Sequence, residues 1–134
     1  MPFGPILSHH DLIVWRKSMR LYIDGWRLAR KLPVPERFDL APQLRRATLS
    51  VPSNIAEGFG RDHLGDYLHH LSMARGSVFE VDTQLLGLRV LTPSLAGEAS
   101  QLLSLGDEIS RMLAVLSRQL RTKSDGRLRS KKSR

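Results

Sequence analysis

The chain has 134 residues, no cysteine and a formal net charge of +8, and its length fits one domain. The absence of cysteine excludes disulfides, thiolate nucleophiles and cysteine-ligated zinc. Apolar runs such as Leu12 to Trp15 and Met112 to Leu116 are too short to span a bilayer, and the first residues lack the pattern of a secretory signal. We therefore expect a cytoplasmic protein without a membrane partner.

The first predicted helix follows an N-terminal extension of residues 1–10, with Asp11 as its N-cap. Apolar residues then recur at intervals of three and four, a heptad pattern typical of a helix that packs in a bundle. This first seam consists of Leu12, Trp15, Met19, Tyr22, Trp26 and Ala29. Pro33 and Pro35 end the helix because each disfavours helical geometry in the residue before it.

The second predicted helix has Asp39 as its N-cap and carries three stripes when projected at 100° per residue. Its apolar seam is Leu40, Leu44, Ala47, Val51 and Ile55, and its polar stripe is Gln43, Arg46, Ser50, Asn54 and Glu57. A separate apolar patch comprises Leu49, Pro52 and Ala56. A bundle needs one apolar face per helix, so this patch is a candidate subunit contact; scattered surface apolar residues are the alternative.

One acid of the second helix is unusually placed. Glu57 lies at the carboxyl end, where the helix dipole disfavours an anion. We therefore expect Glu57 to have a fixed partner such as Arg45, Arg46 or Arg75.

The third predicted helix runs from about Asp62 to about Leu91. Its seam consists of Leu64, Tyr67, Leu71, Ala74, Val78, Val81, Leu85 and Leu88. A second stripe is made of small residues, namely Gly65, Ser72, Gly76, Thr83 and Gly87. Such a stripe indicates the close approach of another helix, either within the bundle or from a neighbouring subunit.

The fourth predicted helix is capped by Ser94. Its seam consists of Leu95, Ala99, Leu102, Gly106, Ile109, Leu113, Leu116 and Leu120. Four such helices with short connections predict an all-α fold over residues 11–121, an antiparallel, up-down-up-down, left-handed four-helix bundle.

The end of the chain is strongly basic. Residues 121–134 contain seven basic residues and one acid, with Leu128 as the only large apolar residue, so residues 122–134 are predicted to form a disordered basic tail. Such a tail binds nucleic-acid phosphates or serves only solubility. Its candidate phosphate-binding residues, with the residue before it, are Arg121, Lys123, Arg127, Arg129, Lys131, Lys132 and Arg134.

Catalytic and metal-binding patterns are weak. His63, Asp66 and His70 share one helix face, but the absence of any Glu-x-x-His pair argues against a di-iron bundle, and we interpret them as a solvated cluster. A ribonuclease that uses Arg61 with a nearby histidine stays open, although no spacing singles it out. We therefore predict no catalytic residue, no metal and no cofactor. Because Trp15, Tyr22, Trp26 and Tyr67 fall on seams, base stacking is not expected.

Several strings resemble those of a known family. The residues from Pro52 to Gly58 and from Gln43 to Ala47, together with Ala74 to Ser77 and Glu80, are similar to those of proteins encoded in intervening sequences of bacterial 23S ribosomal RNA genes. The opening residues Asp11 to Lys17 also look like the start of that family. The resemblance covers about residues 11–120.

The resemblance implies a four-helix bundle that assembles as a ring-like homopentamer. It also implies kinship with the accessory protein of diversity-generating retroelements, which binds nucleic acid and a reverse transcriptase. The matched polar positions serve either a ligand or the register of helices and subunits; they are Gln43, Arg46, Ser50, Asn54, Glu57, Gly76, Ser77 and Glu80. The candidate oligomer interface is Leu49, Pro52, Ala56, Gly65, Ser72, Thr83 and Gly87.

We therefore expect a non-enzymatic homo-oligomer that contacts RNA or DNA through phosphates. An oligomeric scaffold for a protein partner is the first alternative. A metal-dependent enzyme or a ribonuclease is the second.

Overall fold

The computed structural model describes the backbone of residues 5–132 and the side chains of residues 5–126. Over these residues the fold is all-α and contains no strand. Its four helices are α1 (Ile13–Arg30), α2 (Glu36–Phe59), α3 (Leu64–Leu91) and α4 (Ala96–Lys132). None of these helices, over the part described, combines the length and apolar character that crossing a membrane requires.

Each helix packs against the next one in sequence, and α4 returns to pack against α1. A single apolar core runs between them, and its fully buried side chains include Leu21, Leu44, Ile55, Leu85 and Ile109. The seams predicted for α2, α3 and α4 are confirmed over their central turns, because their residues supply most of this core.

The seam predicted for α1 is wrong over its central turns, because the buried face there lies one residue earlier along the helix. The residues that face the core are Val14, Ser18, Leu21, Gly25, Leu28 and Ala29, so the prediction is confirmed only at Ala29. Trp15 and Tyr22 are instead half-buried, and Trp26 is 37% exposed. Tyr22 and Trp26 therefore lie towards the surface of the bundle, whereas Trp15 packs against the edge of the core.

Small residues explain this register. A Cβ placed on Gly25 would lie 3.0 Å from Cγ2 of Thr48, so α1 and α2 approach closely at this point. The buried hydroxyls of Ser18 and Thr48 donate to carbonyl oxygens of their own helices, at 2.7 Å and 2.8 Å. A tryptophan at these positions would hold the two helices apart.

The predicted N-caps at Asp11, Asp39 and Ser94 are also wrong. Asp11 ends a short 3-10 helix (His9–Asp11), where its carboxylate accepts hydrogen bonds from the backbone amides of Leu7 and Ser8 at 2.9 Å and 3.1 Å. Asp39 lies inside the first turn of α2, and Ser94 lies in a 3-10 helix (Pro93–Leu95) before α4. Turns and prolines, rather than these side chains, set the helix starts.

Helix α4 extends past the core. Leu113 is its last buried residue among the described side chains, yet the helical backbone continues to Lys132, through most of the segment predicted to be a disordered tail. Once its packed turns have formed, a helix propagates by adding one backbone hydrogen bond per residue, and the residues after Leu120 extend α4 by about 18 Å. Residues 133–134 lie outside the described part of the chain.

Candidate functional site

The polar stripe predicted on α2 meets α3 through a chain of hydrogen bonds. Oγ of Ser50 lies 2.9 Å from Oγ of Ser77 on α3. Asn54 donates from Nδ2 to the carbonyl and hydroxyl oxygens of Ser50, at 2.9 Å and 3.0 Å, and its Oδ1 lies 3.2 Å from Nδ1 of His70. These four residues, which we call the α2–α3 polar network, tie two core-forming helices together.

Glu57 terminates this network at the carboxyl end of α2. Its Oε1 accepts a hydrogen bond from Arg61 at 2.8 Å, and its Oε2 lies 4.0 Å from Nδ1 of His70. The partners expected from the sequence, Arg45, Arg46 and Arg75, are therefore wrong. The spacing of four residues between Glu57 and Arg61 is a signal for an ion pair that could have been read from the sequence.

The histidine cluster predicted on α3 is divided by the fold. His70 is buried against α2, whereas His63 and Asp66 are exposed, so the interpretation of all three as solvated is wrong for His70. Among the described residues, no three histidine or acidic side chains come together in a way that could hold a metal ion.

Gly58 lets the end of α2 meet the beginning of α3. A Cβ at this position would lie 2.7 Å from Cβ of His70 and 3.2 Å from the carbonyl oxygen of Tyr67. Tyr67 packs edge-on against Phe59, and burial raises the pKa of its phenol above the ordinary value of 10.0. The matched string from Pro52 to Gly58 thus has a packing role at the α2–α3 junction.

The remaining matched polar positions face solvent. Gln43, Arg46, Gly76 and Glu80 are exposed, and Gln43 donates to the carbonyl oxygen of Asp39 at 3.3 Å.

The stripe of small residues on α3 points away from the core. Gly65, Ser72, Gly76, Thr83 and Gly87 are all exposed, and a Cβ on any of the three glycines would meet nothing within 4 Å. No helix of the described chain therefore covers this stripe, which removes the alternative of a close approach within the bundle. The exposed side chains of Phe79, Leu86 and Val90 share this side of the helix, and we call the whole surface the outward face of α3.

The apolar patch predicted on α2 is smaller than expected. Leu49 is 43% exposed and Ala56 is half-buried, but Pro52 is buried within its own subunit. Pro52 follows the buried Thr48 by one helical turn and so shares its side of α2. The prediction of Pro52 as an exposed interface residue is therefore corrected.

Two of the predicted phosphate-binding residues have described side chains. Arg121 and Lys123 are exposed on α4. The side chains of Arg127, Arg129, Lys131, Lys132 and Arg134 lie outside the described part of the chain.

Two surface features were missed by the sequence analysis. One is an apolar groove of about 680 Å³ between the N-terminal segment and α4, lined by residues that include Ile6, Leu12, Val115 and Leu116. The other is a cluster around Trp26, which was missed because α1 was placed in the wrong register.

A model of the 23S rRNA-intervening sequence protein family matches residues 10–115. The match spans the packed parts of all four helices, the α2–α3 polar network and the outward face of α3. It ends before the basic residues at the end of α4. Comparison with curated proteins gives no significant match.

Proposed function

The chain belongs to the family of 23S rRNA-intervening sequence proteins, and we propose that it is a non-enzymatic, homo-oligomeric bundle that contacts RNA or DNA through phosphates in the cytoplasm. The observation that carries this proposal is the end of α4. The helix extends past the core to Lys132, and residues 121–134 contain seven basic residues and one acid. We call this basic end of α4, from Arg121 onward, the α4 arm. A helical arm of this kind contacts phosphates without reading bases.

Within each subunit we propose an up-down-up-down, left-handed arrangement. Two ion pairs support opposite directions for α1 and α4. Lys17 of α1 pairs with Glu108 at 2.7 Å, and Lys31, directly after the end of α1, pairs with Glu98, earlier in α4, at 2.9 Å. The α2–α3 polar network supports opposite directions for α2 and α3 as well, because Ser50 contacts Ser77 whereas Asn54, later in α2, contacts His70, earlier in α3. Seam residues that recur every three and four positions favour left-handed crossing.

The outward face of α3 supports the oligomer. An apolar side of a helix is normally covered by another element, whereas the outward face of α3 is left in water. A closed ring needs two different faces on each subunit. We propose that the outward face of α3 is one of them, that exposed Leu49 with Ala56 on α2 is the other, and that the ring is a pentamer.

The nucleic-acid proposal is tested by fluorescence anisotropy with a labelled single-stranded RNA over a range of salt concentrations. We compare the full chain with a variant that lacks residues 122–134 and with a full-length variant whose six basic residues in that segment become glutamine. We expect steeply salt-dependent binding by the full chain and a weaker, flatter response from both variants.

Two outcomes would contradict this proposal. Failure of the full chain to retain RNA at low salt would overturn nucleic-acid binding altogether. Unchanged affinity and salt dependence in both variants would overturn the role of the α4 arm.

A second function, a scaffold for a protein partner, is favoured by the apolar groove beside α4. Grooves of this kind accept the apolar face of an amphipathic helix. Val115 lies in the groove and is 44% exposed. A partner that co-purifies after nuclease and high-salt treatment, and that a Val115→Glu variant loses, would support this role.

A further inference from the structure

Trp26 gathers two arginines from different helices at the surface of the bundle. Cζ of Arg30, on α1, lies 5.0 Å from the centroid of the indole ring, and Cζ of Arg45, on α2, lies 5.1 Å from it. Guanidinium groups at this distance are attracted to the electron-rich face of tryptophan. Trp26 therefore has one guanidinium group from each of two helices beside its ring.

Neither arginine is neutralised by a carboxylate among the described side chains. Nε of Arg45 is buried and makes no hydrogen bond within the part of the chain that the structure describes. The neighbouring Arg27, in contrast, pairs with Asp24 at 3.3 Å. Two cations beside one ring, neither paired with a carboxylate, create a positive local potential, which favours the binding of an anion.

The surface beside Trp26 is concave. Tyr22, Ile23, Trp26, Arg27 and Arg30 line a hollow of about 340 Å³, which is within the size range of small-ligand sites. A phosphate with its sugar fits a hollow of this size. Arg30 supplies charge from the wall of the hollow, Arg45 adds charge beside the Trp26 ring, and the aromatic and aliphatic side chains supply an apolar wall.

From this arrangement we propose that Trp26, Arg30 and Arg45 form a phosphate-binding site for a nucleic-acid strand on the body of the bundle. The forked donors of arginine match phosphate oxygens in a bidentate manner. This inference rests on the proposed function and extends it, because it places a second phosphate contact outside the basic end of α4. The strand then touches the bundle itself as well as the α4 arm.

The test compares two variants of equal charge in the full chain. Arg30→Gln/Arg45→Gln removes the site, and Arg61→Gln/Arg111→Gln removes two ion-paired arginines elsewhere. With labelled single-stranded RNA at low salt we expect the first variant to bind roughly tenfold to a hundredfold more weakly, with a salt slope smaller by about 1.4. We expect the control variant to change the affinity for RNA much less. Arg30→Lys/Arg45→Lys keeps both positive charges but loses the forked guanidinium donors, so its affinity should lie between those of the other two variants.

A second readout reports on the site directly. The chain has two tryptophans, so in a Trp15→Phe background the emission comes from Trp26 alone. We expect RNA to change this emission, and the change to disappear when Arg30 and Arg45 become glutamine. Inorganic phosphate is the competing probe, and full displacement of RNA from Trp26 by millimolar phosphate would assign the site to free phosphate and overturn the inference.

The remaining outcomes separate this inference from the proposed function. If the full chain binds RNA and the two charge-matched variants behave alike, the site at Trp26 is wrong and nucleic-acid binding stands. If the full chain binds no RNA, both fail together.

Discussion

At Gly58 the helix α2 comes so close to α3 that one added methyl group does not fit. Replacement of a helical glycine by alanine normally gains about 1 kcal/mol in helix propensity. Here the new Cβ would lie 2.7 Å from Cβ of His70, and overpacking of this kind costs about 1–3 kcal/mol. The net of the two effects is an expected loss of up to about 2 kcal/mol in the free energy of unfolding of Gly58→Ala, measured by urea denaturation.

Gly97 provides the matched control for that substitution. It lies in the first turn of α4, and a Cβ there would meet nothing within 4 Å. Gly97→Ala should leave the stability unchanged or slightly higher. If Gly58→Ala is no less stable than Gly97→Ala, the close approach of α2 and α3 is incorrect.

Asp11 gives the N-terminal turn a defined pH dependence. Hydrogen bonds from the backbone amides of Leu7 and Ser8 lower the pKa of Asp11 below its ordinary value of 3.8. Because the folded pKa is depressed, the stabilisation is complete above the unfolded pKa and is lost as the pH falls through the lower folded pKa. We expect the amide chemical shifts of Leu7 and Ser8 to titrate below pH 3.8.

Asp11→Asn should abolish this titration while the four helices stay intact. Titration of the two amides at or above the ordinary carboxyl pKa would show that the carboxylate does not accept their hydrogen bonds.

At the scale of the helix, α1 shows what heptad spacing alone cannot decide. Two registers coexist in its sequence, one with large aromatic residues and one, a residue earlier, that includes Ser18 and Gly25. The larger apolar area of the aromatic side chains favours the first register. The core uses the second register because its small residues let α1 approach Thr48 of α2. That advantage exists only once a partner helix is in place, so the sequence of α1 by itself does not reveal it.

The same limit applies to the candidate site. The polar stripe of α2 follows directly from the 100° projection, and the structure finds Ser50 and Asn54 on it. Their partners, Ser77 and His70, lie on another helix, and pairing them requires the relative register of α2 and α3. Heptad spacing fixes which side of a helix is apolar, but it does not fix which turn of α2 lies against which turn of α3.

Two adjacent residues of α1 test the observed register. Leu21 is fully buried, and Leu21→Ala should lower the free energy of unfolding by about 2–5 kcal/mol because it leaves a cavity in the core. Tyr22 is half-buried, and Tyr22→Ala should cost less than half as much. Chemical denaturation of both variants measures the difference, and a larger loss at Tyr22 would restore the register predicted from the sequence.

For the whole molecule, the decisive question is whether the outward face of α3 is covered by another subunit. Thr83 lies in the middle of this face and is exposed in the single subunit, so Thr83→Glu should fold normally by circular dichroism. In the proposed ring the same substitution places a charge in a contact of small and apolar residues, where an unpaired charge is costly. Light scattering and native mass spectrometry should then find a pentamer for the unmodified chain and smaller species for Thr83→Glu.

A charge placed elsewhere on the subunit distinguishes loss of the α3 contact from a general effect of added negative charge. Ser104 is exposed on α4, and Ser104→Glu adds the same charge away from the outward face of α3, so it should leave the pentamer intact. A monomeric unmodified chain at micromolar concentration would overturn the assembly itself. A pentamer that tolerates Thr83→Glu would instead move the interface to another surface, because an unpartnered carboxylate within a dry contact of small residues cannot be accommodated without loss of affinity.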